Sequence, residues 1–218
     1  LASQWTKDPV SFEVESKGIT SENIGQIAYI ASDEEKFAII YNIVSQDMLN
    51  RVIIFGNRRD EVARLTDMFK ACGLSCGLLS GDVTQSRRIK TLEELRNGTI
   101  RILCATDVAA RGIHVDGITH VFNYSLPDDP EDYVHRIGRT GRAGEKGVSV
   151  IFATEEDSYL IPKIESYTKH KLNYINPEEN LVAVPNDLSK ILKQFKSGRA
   201  GRKKTGSFRE KRVKNRKE

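Results

Sequence analysis

Within His135-Arg-Ile-Gly-Arg-Thr-Gly-Arg142, three arginines and two glycines share eight residues. An arginine presents a rigid fork of N–H donors that matches phosphate oxygens, and a glycine beside it lets backbone approach a ligand closely. A cation complementing a helix C-terminus accounts for one of these arginines. It does not account for Arg139 and Arg142 alternating with Gly138 and Gly141, so the octet reads as a polyanion site with the geometry of arginine fingers. Three other stretches set polar groups at the end of an apolar run: Ile54-Phe-Gly-Asn-Arg58, Ser80-Gly-Asp-Val-Thr-Gln-Ser-Arg-Arg88 and Ala105-Thr-Asp-Val-Ala-Ala-Arg-Gly112. Arg58 and Arg88 suit a groove that follows a nucleic-acid backbone without reading its bases. Thr106 and Asp107, and Asp82 or Thr84, stand where helices should begin. Such residues cap a helix while neighbouring free amides face phosphate, and the two roles coexist. Arg111 reads as an internal partner of Asp82 or Asp107, tying one loop to another.

Positioning these segments falls to an alternation of apolar strands and amphipathic helices. Strands are expected from Ile24 to Ala31, Arg51 to Gly56, Leu74 to Leu79, Ile100 to Ala105, His120 to Tyr124 and Gly147 to Ala153. Helices are expected after Asp33 as N-cap, from Asp60 to Cys72, from Thr84 to Arg96, in a short piece between Thr106 and Gly112, after Asp129 with Pro130 at its first position, and from Glu155 to Thr168. Alternation of this kind implies right-handed βαβ units and a doubly wound αβα sandwich with a mostly parallel sheet. Ligands in such folds bind beyond the carboxyl ends of the strands, where the four motif segments fall. Residues from Pro177 to Asn186 read as irregular, followed by a short helix from Leu188 to Phe195.

The chain has 218 residues, 39% hydrophobic and 29% charged, a globular balance. No apolar run approaches the ~18 residues of a membrane span, and no basic-then-apolar leader opens the chain, which argues against a secreted or integral membrane protein. Cys72, Cys76 and Cys104 are too few and too irregular for a metal site or a disulfide framework, so they read as reduced core thiols of a cytoplasmic protein with no metal ligands. Charge is divided unevenly: residues 197–218 hold ten Lys or Arg against two Glu, and the rest 24 basic against 28 acidic residues. That tail lacks apolar periodicity and should be disordered; RNA is its expected partner, with an acidic protein surface or nothing specific as the other readings.

In its motif segments and their order, the chain resembles the second RecA-like domain of DEAD-box RNA helicases from about Phe12 to Tyr174. His135 to Arg142 matches motif VI, Ile54 to Arg58 motif IV, Ser80 to Arg88 the Gly-Asp and Gln-x-x-Arg segment, and Ala105 to Gly112 motif V. Arg111 to Gly117 and Asn123 to Val134 resemble the helicase type of the bacterial RNA degradosome. The resemblance implies that Arg139 and Arg142 act catalytically at the γ-phosphate of ATP, with Gly112 and His114 also at the nucleotide. It places Asn57, Arg58, Gly81, Asp82, Gln85, Arg88, Thr106 and Asp107 along RNA. Position 114 departs from the family's usual aspartate, and His114 reads equally as nucleotide-facing or as an ordinary loop histidine.

No Gly-x-x-x-x-Gly-Lys-Ser/Thr loop and no Asp-Glu-Ala-Asp run occur in the sequence. The resemblance puts these in a first RecA-like domain, which would hold the Mg²⁺ ligands and bind this one across ATP and RNA; a degradosome nuclease is the implied protein partner. Starting at Leu1 and not at methionine, the chain reads as half of a longer enzyme: residues 1–18 as the end of the first domain and linker, 19–178 as the second domain, 179–196 as an irregular segment with a short helix, and 197–218 as the tail. A non-catalytic RNA-binding or partner-docking module, and a different nucleic-acid-stimulated ATPase, are the rival readings.

Overall fold

The computed structural model describes residues 23–46, 49, 51–113, 115–142, 144–155, 157–185, 188–193 and 195. Residues 1–18, the whole tail 197–218 and His114 therefore lie outside the described residues. Seven strands form one wholly parallel sheet: β1 (Ile24–Ile30), β2 (Val52–Phe55), β3 (Cys76–Leu79), β4 (Ile102–Ala105), β5 (His120–Asn123), β6 (Gly147–Ala153) and β7 (Asn173–Ile175), in the order β3-β4-β2-β5-β6-β1-β7. The helices are α1 (Asp33–Val44), α2 (Arg59–Ala71), α3 (Gln85–Arg96), α4 (Asp107–Ala110), α5 (Pro130–Ile137), α6 (Ile161–Thr168) and α7 (Glu179–Val182).

Handedness sorts these helices into layers. The crossovers from β1 to β2 and from β2 to β3 run one way along the sheet, and all later ones run the other way, so right-handed connection puts α1 and α2 on one face and α3 to α6 on the opposite face. Side chains alternate to match. Val52, Ile54, Ile102 and Cys104 pack under α1 and α2, whereas Ile53, Phe55, Leu103 and Ala105 face the other layer. Both faces are buried, which explains strands that are apolar throughout. The expected αβα sandwich is the observed one.

Local chemistry sets the element ends. The N-cap of α1 is Ser32, one residue before the expected Asp33, and its N–H and hydroxyl both donate to Glu35, the Ser-x-x-Glu pattern of a capping box. Asp129 caps α5 by accepting from the Glu131 amide, with Pro130 in the first turn, as expected. The helix expected from Glu155 starts only at Ile161, because Pro162 lacks an amide to donate and is tolerated in a first turn, not mid-helix. Residues 157–160 form turns instead, anchored where Asp157 accepts from Thr154 and from the buried Lys36. β7 gave no strand signal: three residues at a sheet edge carry too little pattern.

Beneath the sheet, at the amino ends of the strands, two arginines close helix ends. Arg51 donates to the carbonyls of Leu95, Arg96 and Asp116, and Arg101 to that of Val44, so the last turns of α3 and α1 gain partners for orphan carbonyls. After β7 the chain returns over α1. There the Asn42 side-chain amide donates to the carbonyls of Asn180, Leu181 and Ala183, and Leu188, in the helical stretch 188–193, is fully buried in the α1 and α2 core. Residues expected as irregular between 177 and 186 thus include the turn of helix α7. Among the described residues no helix is long and apolar enough to cross a membrane.

Candidate nucleotide and nucleic-acid interface

The strand order singles out the carboxyl end of β2. The helix after β2 leaves toward one face, while those after its neighbours β4 and β5 leave toward the other, so the loops part around it. Gly56 opens the β2 exit: a Cβ there would come within 2.5 Å of the Glu61 carboxylate. That carboxylate accepts from the Asn57 amide at 2.9 Å and from the Ser125 hydroxyl at 2.6 Å, joining the loops after β2 and β5.

Arg136 fills the space between the loops. It lies on the inward side of α5 with Tyr133 and Ile137, is 1% exposed, and its guanidinium stands 5.3 Å from the Phe55 ring centre. Nε and Nη2 grip both Asp107 oxygens at 2.6 and 2.7 Å; Nη2 also reaches Asn57 Oδ1 at 2.7 Å; Nη1 reaches the Ser125 carbonyl at 2.6 Å and Asn123 Oδ1 at 3.3 Å. Five contacts use all five guanidinium donors, the condition under which a charge can be buried. One side chain therefore locks the exits of β2, β4 and β5 together. The sequence reading missed it by giving one arginine of the octet to a helix end; its signal was its spacing of three and one from Tyr133 and Ile137, which puts it on the buried face.

Asn57 and Asp107, both expected at RNA, spend their side chains here: Asn57 also donates to the Leu126 carbonyl. Thr106, the N-cap of α4, is buried and makes no side-chain cap bond. Arg111 does pair internally, but with Asp132 at 3.2 Å and not with Asp82 or Asp107. Both expected partners are engaged elsewhere, Asp107 by Arg136 and Asp82 by Arg59 at 2.5 Å.

The remaining expected RNA residues gather on one side. Thr84, not Asp82, caps α3, accepting weakly from the Arg87 amide at 3.4 Å. Gly81 and Gln85 are exposed, and Arg88 donates to the Arg111 carbonyl at 3.3 Å, bridging the loops after β3 and β4. Arg58 is exposed and pairs with Asp60 at 2.6 Å.

At the far end of α5, Arg139 donates to the carbonyls of His135 and Ile113 at 3.1 and 3.0 Å, and Arg142 to that of Gly138 at 2.7 Å. Burial, with Arg142 nearby, lowers the Arg139 pKa from its ordinary value, so the site would gain from an anion. Gly141 has φ +67°, and a Cβ on it would stand 2.5 Å from Ile24, so only glycine brings Arg142 around this corner. Gly112 turns at φ +74° with open space beyond its Cα. These donors fit a phosphate chain. The crevice that Arg139 shares with Asp107, Asp132 and Arg136 encloses about 10 Å³, so enclosure of a nucleotide would need a second surface. Among the described residues no group of three or more His, Cys, Asp or Glu is arranged to hold a metal ion.

The family model described as the helicase conserved C-terminal domain matches residues 35–144. An ATP-dependent RNA helicase RhlB of Pseudomonas syringae pv. tomato is 50% identical over 182 residues, 84% of this chain and 46% of that protein. The chain thus spans about half the length of the curated relatives it matches. Among solved structures, the Escherichia coli DEAD-box protein SrmB bound to regulator of ribonuclease activity A matches with TM-score 0.67 and 32% identity, over 73% of this chain and 95% of that one. Saccharomyces cerevisiae Dbp5 bound to RNA and ADP BeF3 matches with TM-score 0.71 and 25% identity, over 90% of this chain and 50% of that one.

Proposed function

This chain belongs to the helicase conserved C-terminal domain family, and from that premise we propose that it is the second RecA-like domain of an ATP-dependent RNA helicase, acting in RNA turnover. The observation that carries the reading is Arg136, which fixes the loops after β2, β4 and β5 as one body while the chain just beyond the same helix carries Arg139 and Arg142. A domain so built can report RNA on one side to nucleotide on the other.

On the nucleotide side, Arg139 and Arg142 exchange main-chain carbonyls for the γ-phosphate and stabilise charge that shifts during transfer, with Gly112 giving backbone access. Bound ATP supplies the phosphoanhydride whose hydrolysis drives the cycle, and Mg²⁺ is held by carboxylates of a first RecA-like domain. On the RNA side, amides near Gly81, Asp82 and Thr106 meet phosphates together with Gln85 and Arg88, Arg58 flanks the strand in its pair with Asp60, and Asn57 and Asp107 act by holding the loops in place. The basic residues of 197–218 add sequence-blind affinity, and a degradosome nuclease is the protein partner.

Steady-state phosphate release, with and without RNA, tests this on the whole protein and on the 218-residue chain alone. RNA should stimulate the whole protein, and the chain alone should be inactive, because its sequence holds no phosphate-cradling loop. RNA-stimulated turnover by the chain alone would sink the reading.

A further inference from the structure

Between the first turn of α2 and the loop joining β3 to α3 lies an open cavity of about 690 Å³, within the size range of small-molecule sites. Its wall holds Ala63, Leu78 and Val83, each half-buried, and its rim holds Arg58, Arg59, Asp60 and Asp82. Binding phosphates along a backbone requires no such hollow. Its charge also argues against an anion: Arg58 is matched by Asp60 and Arg59 by Asp82, so the rim offers two cations and two anions with no net attraction for phosphate. What remains is an apolar floor, two planar guanidiniums, and a mixture of donors and acceptors that includes Ser80 and Asn57. A flat, neutral group with apolar faces and hydrogen-bonding edges fits that chemistry.

We propose that this cavity seats one nucleobase, splayed from the RNA strand whose phosphates lie on the neighbouring loops. The proposal rests on the reading of this domain as an RNA-binding surface and adds to it a single point of base contact. The base lies on Ala63, Leu78 and Val83 and beneath the Arg59 guanidinium, which stacks on it while Asp82 holds the arginine flat. The paired carboxylates thus orient two arginines as planes in place of presenting them as free charges. Contact with one base in an otherwise backbone-tracking groove would set the register of the strand across the domain.

The test is equilibrium binding of the full chain to a single-stranded RNA in which an abasic nucleotide is placed at each position in turn. One position should weaken binding about 5-fold to 150-fold, as loss of a stacked base does, and the others little. Ala63→Phe fills the hollow from the α2 side and Val83→Phe from the opposite wall. In whichever of them melts like wild type, the position-specific loss should vanish while salt-dependent binding of intact RNA persists. Uniform tolerance of abasic positions in the wild-type chain, or an unchanged position-specific loss in a stably folded filled variant, would overturn the base seat and leave the RNA reading standing. Failure of intact RNA to bind at all would overturn both.

Discussion

Arginines crowd both ends of the parallel sheet, and at both ends they donate to helix carbonyls, yet the arrangements differ in reach. Under the sheet, Arg51 joins carbonyls 44, 45 and 65 residues away, and Arg101 one 57 residues away. Above it, one donor of Arg142 and one of Arg139 each reach the carbonyl four residues back, within a single turn. Long-range bonds cannot be released without loosening the fold; bonds within one turn can be. Arg136 stands between these cases, buried like a core residue but placed among the loops that meet ligands. The lesson is that bonds within one turn to helix-end carbonyls leave these arginine donors able to change partner, which is what the phosphate role proposed for Arg139 and Arg142 requires.

Substitutions separate the classes. In the whole protein, Arg142→Ala or Arg139→Ala should lower RNA-stimulated hydrolysis by ~10³ to 10⁵, with the melting temperature nearly unchanged for Arg142→Ala and lowered for Arg139→Ala, whose bond to the Ile113 carbonyl spans 26 residues. Lysine should rescue poorly, since a point charge cannot reproduce the fork. Near-normal turnover in a stably folded Arg142→Ala protein would collapse the contrast, leaving only a helix-end role. Arg136→Met should act on stability first, costing about 3–5 kcal/mol in urea denaturation because Asp107 is left without its partner. Adding Asp107→Leu should recover part of that, and a single substitution that melts like wild type would remove Arg136 from the centre of the site.

Smaller effects belong to the lower end. Arg51→Ala should cost about 1–3 kcal/mol, measured the same way, with RNA-stimulated turnover unchanged once folded. A fall in turnover at full folding would show that the two ends are coupled. Slightest of all is a pH effect at His120, at the start of β5, whose pKa burial lowers from its ordinary value. The unfolded chain binds that proton more readily, so stability is complete above about pH 6.5 and declines as pH falls below it. His120→Gln should flatten the dependence of the urea midpoint between pH 7.5 and 5.5; an identical slope would assign acid sensitivity to other groups.

Much of this was legible in the sequence for a stated reason. Six of the seven strands are apolar runs between helical repeats, and a run buried on both faces needs no structure to be seen. Asp129 and Pro130 announced α5 because capping is local chemistry. What stayed hidden was choice among distant partners. Arg111 has three carboxylates within plausible reach, and only the fold shows that Arg136 and Arg59 hold two of them. Arg136 itself looked like its neighbours in the octet, since burial is decided by which side of α5 meets the sheet.

The return of the chain over α1 bears on where this domain can be cut. Ending it after β7, where the sheet is complete, would strip three carbonyls from the Asn42 amide and uncover the seat of Leu188. A chain so shortened would keep every strand and present a sticky apolar trough along α1, inviting self-association on expression. The natural limit of the folded unit is set by the last side chain that closes its core, not by the last strand of its sheet.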